Sequence, residues 1–256
     1  MAKVDTVRDK YYKPIELTEL VGDILFWLIS ILSIVVLFID TTVYSLGADL
    51  VQIILIVLVI LLFMQGQVQK LYLFPRAEDR RRQHLLSDSF GVTLTHEGAV
   101  GYYNNNQANP LSRLAGSVME SSFFTSEIAR RMLVQQRIKT IGYIVIYLIA
   151  VLNRSTNLEL LGVAAQALFG GEIIARWLRM EWLRSRSEQA FDNLNRLFSS
   201  RSAFTRTTTQ SEALDLFAFY ETTKSTAAIL LSSRLFKKHN PKLTEEWEQI
   251  RDRLGI

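Results

Sequence analysis

Few residues in this chain have the type and spacing that chemistry needs. It holds no cysteine and three scattered histidines, His84, His96 and His239. Thiolate metal sites, disulfides and cysteine nucleophiles are therefore excluded, and neither a metal centre nor a cofactor is expected. No phosphate-binding glycine loop, serine nucleophile elbow or metalloprotease helix motif occurs. His96-Glu97 stands alone in a glycine-bearing loop, without the nucleophile or metal partners of a catalytic pair. The expectation is a chain that is not an enzyme.

The residues left over point to binding. Tyr102-Tyr103-Asn104-Asn105-Asn106 offers aromatic faces beside amide donors and acceptors. Nucleobases are held by that combination of stacking and edge hydrogen bonds, and Arg113 is placed to take a phosphate, so a nucleotide or oligonucleotide is the expected ligand. The competing reading is a tight loop whose tyrosines pack on the domain core. Glu159, Gln166 and Glu172 interrupt an apolar stretch that also holds Gly170-Gly171. Such a stripe is either a packing seam between helices or the lining of a pore, where a carboxylate ring from an oligomer favours cations. Arg80-Arg81-Arg82 follows an apolar run directly, which suggests contact with lipid headgroups.

These side chains need elements to position them. Residues 20–39 carry one charge, Asp23, and residues 50–64 carry none. Each is close to the ~20 apolar residues that cross a bilayer as a helix. Residue 39 is followed by Asp40 rather than by a small-residue cleavage pattern, which excludes a signal peptide. Lys3, Arg8, Lys10 and Lys13 precede the first run, and Lys70, Arg76 and Arg80 to Arg82 follow the second. Residues 40–49 have no Lys or Arg, so the positive-inside rule places both basic flanks in the cytoplasm. A shorter apolar pair follows at 141–152 and 158–175, between Arg130, Arg131, Arg137 and Lys139 on one side and Arg176, Arg179, Arg184 and Arg186 on the other. The expected fold is an all-α membrane protein of two transmembrane hairpins, four spans in all, embedded in a lipid bilayer. Its divisions would be a cytosolic N-terminal segment (1–19), a first hairpin (20–66), a cytosolic insert (67–139), a second hairpin (140–175) and a cytosolic helical tail (176–256).

Within the polar parts, residues 76–86 and 111–139 have helical composition. The Gly- and Asn-rich segment between them, closed by Pro110, reads as a loop. Met180, Leu183, Ser187, Ala190, Leu194 and Leu197 recur at three- and four-residue steps, as on an amphipathic stalk. That stalk packs either on copies of itself or on its own chain. A Ser/Thr-rich stretch then interrupts the pattern. One more helix is expected from near Ala213 to Asn240-Pro241, and Thr244 would cap a last one.

This order of elements resembles the four-transmembrane effectors of bacterial nucleotide-second-messenger (CBASS-type) anti-phage systems. Residues 84–94, HLLSDSFGVTL, are similar to that family's stretch at the same place, and Gln136-Arg137 is similar to its Gln-Arg element. The resemblance implies an antiviral defence effector in the bacterial inner membrane with both termini cytoplasmic. It would be a homo-oligomer, a tetramer being one such state, whose ion channel is opened by a nucleotide from a partner nucleotidyltransferase and depolarises the cell. The alternative is a non-conducting membrane scaffold that recruits a soluble enzyme.

Overall fold

The computed structural model describes residues 4–38, 45–96, 99–100, 105, 107–152, 173–200 and 204–256. In chain order, strand β1 (Val4–Asp5) leads through a π-helical turn, Arg8–Tyr12, into α1 (Lys13–Phe38). Helix α2 (Ser45–Val68) passes through a second π-helical turn, Gln69–Leu73, into α3 (Phe74–Phe90). Strand β2 (Ala99–Val100) pairs antiparallel with β1, Val4 opposite Val100. Four helices follow: α4 (Pro110–Leu152), α5 (Ile173–Ser199), α6 (Thr207–Ala227) and α7 (Ser233–Leu254).

Local chemistry sets most of these boundaries. α3 stops where Gly91 adopts φ 65° and its N–H donates to the Ser87 carbonyl, a left-handed cap that glycine takes without a Cβ penalty. Asn109 starts α4: its side-chain oxygen accepts from the N–H groups of Leu111 and Ser112 at 2.9 and 3.2 Å. Pro110 follows at the first helical position, where no N–H is missed. Ser232 caps α7 by accepting from the Leu235 N–H. Pro241, expected to end a helix, lies inside α7. Its ring falls on the exposed side, while Leu243 and Trp247 on the other side are buried, so packing of the apolar face carries the helix past the missing hydrogen bond. α6 begins six residues before the expected Ala213, within the threonine run.

The core lies among α4, α5, α6 and α7. Leu114, Val118, Met119 and Ile128 of α4 meet Ala190 and Leu194 of α5, Leu216 and Tyr220 of α6, and Leu243 and Trp247 of α7. All of the stalk positions Met180, Leu183, Ser187, Ala190, Leu194 and Leu197 are buried against the same chain. The apolar periodicity of α5 thus packs on its own chain.

The four-span layout is corrected. Among the described residues one helix, the continuous run Asp49–Phe90, is long and apolar enough to cross a membrane, with a mean hydropathy of 2.4 over its best window. The expected third span is the far end of α4, a 43-residue helix with no break at Lys139 whose first half is core. Of the expected fourth span, residues 158–172 lie outside the described residues. Two transmembrane hairpins are therefore not the architecture. What stands is an all-α body with an apolar helical hairpin projecting from it, since none of that best window is buried.

A charged junction at the base of the hairpin

Both chain segments that enter the hairpin leave the body through the same small region, and a single lysine of α6 ties them to it. Lys224 Nζ lies 3.0 Å from Glu78 of α3 and 2.8 Å from Glu221, one turn earlier on α6. Tyr12, the last residue of the first π turn, donates its hydroxyl to Glu78 Oε1 at 2.7 Å. Beneath the ammonium is the ring of Tyr220, 5.1 Å to its centroid, whose hydroxyl shares a 2.8 Å hydrogen bond with Thr125 of α4. Glu78, Glu221 and Tyr220 are all buried. Ionised groups persist out of water only when opposite charges and hydrogen bonds face them, and this cluster supplies both.

A second layer surrounds it. Arg81 pairs with Asp5 at 2.8 Å, with its side chain 11% exposed, and its guanidinium lies over the Tyr12 ring. Asp5 also accepts from the Arg8 N–H, which fixes the turn after β1. Glu16 of α1 accepts from Ser233 at the start of α7, and Arg176 of α5 pairs with Glu19 of α1. Apolar contacts fill the gaps: Ile15, Phe74, Ala77 and Leu230 form one buried group. The two hairpin helices also touch closely, because a Cβ at Gly22 would lie 2.9 Å from the Gln65 side-chain oxygen. Gln65 in turn donates to the Thr18 carbonyl.

The electrostatics define what this junction can do. Burial pulls the Lys224 ammonium down, but Glu78 and Glu221 overcome it and hold it well above the ordinary lysine value. Burial pushes the Tyr12 and Tyr220 phenols up as well. Lys224 is thus kept charged and the phenols neutral near pH 7, the opposite of what a lysine nucleophile or a tyrosinate base requires. Burial also raises Glu221. The arrangement is suited to holding elements together.

The residues expected to bind ligand fall in several places. Tyr102, Tyr103, Asn104, Glu159, Gln166 and Glu172 lie outside the described residues. Asn105 donates to the Arg113 carbonyl and accepts from the Gln107 N–H. Arg113 directs its guanidinium to the backbone carbonyls of Gln107 and Asp88, at 2.9 and 3.3 Å. Both side chains serve the entry into α4. Of the basic run, Arg81 is half-buried in its ion pair with Asp5, Arg82 pairs with Asp79 on the surface, and Arg80 donates to Gln83 and lies over the Tyr11 ring. Elsewhere, a shallow depression of about 630 Å³ on α5 is lined by Ser185, Glu188, Gln189, Asp192, Asn193, Asn195 and Arg196. Among the described residues no group of three metal-ligating side chains is assembled.

Sequence reasoning missed the junction. Its signal was faint: Glu221 and Lys224 one turn apart in an otherwise weakly charged helix, and Glu78 as an acid within a basic stretch.

The chain matches no family model, no curated protein and no solved structure. The resemblance to four-transmembrane anti-phage effectors is therefore corrected: no match supports it, and the described helices lack its layout. With it go the oligomeric ion channel, the nucleotide signal and partner nucleotidyltransferase, the antiviral role and the scaffold alternative. The bilayer-embedded inner-membrane placement with both termini cytoplasmic is corrected too, because it presupposed several spans.

Proposed function

We propose that the chain is a non-enzymatic attachment module: the α1–α2 hairpin docks into an apolar host, and the junction holds the α4–α7 body in a set pose at its base. One observation carries this reading. Large apolar side chains lie exposed along both helices, among them Leu20, Ile24, Trp27 and Ile31 of α1 and Ile53, Ile56, Ile60 and Phe63 of α2. Contiguous apolar surface on that scale marks an interaction site, since each buried side chain contributes about 1.5–3 kcal/mol on leaving water. The end of α4 also carries exposed Ile141, Ile149 and Leu152.

Phase separation of a nonionic detergent tests the proposal. The full chain is expected in the detergent-rich phase, and a variant carrying Ile53→Asp, Ile56→Asp and Ile60→Asp in the aqueous phase with unchanged helical circular dichroism. A wild-type chain that stays in the aqueous phase, or a variant that partitions like wild type, overturns it.

A further inference from the structure

Helix α7 carries a charge pattern that its own fold does not use. Its outward face bears Arg234, Lys237, Lys238 and Lys242 in the first half and Glu245, Glu248 and Asp252 in the second, all of them exposed. At the angle per residue of an α-helix these positions fall within an arc of about 140°. Leu243 and Trp247, which are buried, lie on the opposite side. No acid stands between Ser233 and Thr244.

Neither helix stability nor internal pairing accounts for this order. A helix start favours acids, yet the first turn of α7 has none and holds Arg234. Among the described residues Arg234, Lys237, Lys238, Glu245 and Glu248 make no ion pair. Lys242 reaches Glu246 at 3.6 Å, and Arg251, beside the face, reaches Asp252 at 3.4 Å. Burial lowers the His239 imidazole below its ordinary value, and Arg131, Lys238 and Lys242 lower it further, so cations dominate this end of the helix.

The reversal of sign along the face selects the partner. A uniform polyanion lying on the basic half, about 13 Å of helix, would run on into Glu245, Glu248 and Asp252. A second α7 turned end for end meets no such repulsion. Leu243 is nine residues from both Arg234 and Asp252 and five from both Lys238 and Glu248. Antiparallel pairing centred at its level therefore sets Arg234 against Asp252 and Lys238 against Glu248, and two-fold symmetry makes each contact twice. We infer that the outward face of α7 is a docking surface for a second copy of this chain, paired antiparallel by opposite charges. The pairing uses no part of the hairpin, so it neither rests on the attachment reading nor implies a pore.

The contacts are exposed ion pairs, so salt should weaken the association. The full chain in nonionic detergent, mixed from two isotopic preparations and treated with a zero-length carbodiimide, reports the contact directly. Lys238 and Glu248 of one copy are about 15 Å apart along the helix axis, so a link between them forms only between copies. A mixed-isotope Lys238–Glu248 link is expected at about 20 mM salt and should fade at about 500 mM. In sedimentation velocity at low salt, Lys238→Glu and Glu248→Lys should each weaken dimerisation about tenfold, since each sets like charges face to face. Combining the two restores opposite charges and should restore the dimer. Absence of the mixed-isotope link, single variants that associate like the parent, or a double variant that stays monomeric overturns the inference.

Discussion

On Lys224 converge Glu78, Glu221 and the Tyr220 ring. Its ammonium satisfies two buried carboxylates that would otherwise face each other, so its loss leaves uncompensated charge inside the protein. Lys224→Met, which keeps the volume and removes the charge, is expected to lower unfolding free energy by about 3–5 kcal/mol, the cost of breaking a buried pair by removing one partner. Chemical denaturation checks this, and a loss below about 1 kcal/mol would show that the carboxylates find solvent. Little of this was legible in the sequence. Glu78, Tyr12 and Lys224 are far apart along the chain, and nothing local in their spacing signals that they meet. Asn105 and Arg113 illustrate the converse: their composition suits a ligand, but the geometry uses both to organise the loop before α4.

At the scale of elements, hydrophobic periodicity was the reliable guide and punctuation the unreliable one. The stalk positions from Met180 to Leu197 line one face of α5 and pack as their spacing indicates. Pro241 misled because a proline breaks a helix only where its missing N–H and its ring matter, and on the exposed side of α7 neither outweighs the buried Trp247. The backbone of α4 runs on past Lys139 without a break, since a change in hydropathy is not a change in backbone conformation. α4 and α5 are also joined by a bidentate pair, Arg137 to Glu181 at 2.5 and 2.8 Å, with Trp177 donating to the same carboxylate. The hydrogen bond from Arg137 holds the Glu181 carboxyl below its ordinary value. A depressed carboxyl stabilises the fold above the ordinary carboxylate range and loses that contribution as pH falls through its lowered value. Thermal melts of wild type and Arg137→Leu should therefore differ at pH 7 and converge as pH falls below about 4. A gap that persists in acid would assign the effect to packing of the arginine stem.

For the whole molecule, the separation of apolar and charged segments along the sequence foretold a two-part protein but not its layout. Apolar side chains divide between two fates: Leu114, Val118, Met119 and Ile128 of α4 are core, while Leu20, Ile24, Ile53 and Ile56 of α1 and α2 remain outside. Tertiary packing decides between these, and composition does not reveal it. The central proposal is that the apolar faces of α1 and α2 dock into an apolar host while the body stays outside it. A photoactivated carbene reagent dissolved in the detergent hydrocarbon, followed by peptide mapping of its adducts, tests this most directly. The account predicts dense labelling at Ile24, Ile31, Ile53 and Ile60 and none at Leu114, Leu194 or Leu243. Equal labelling of body and hairpin, or a hairpin left unlabelled, would contradict it.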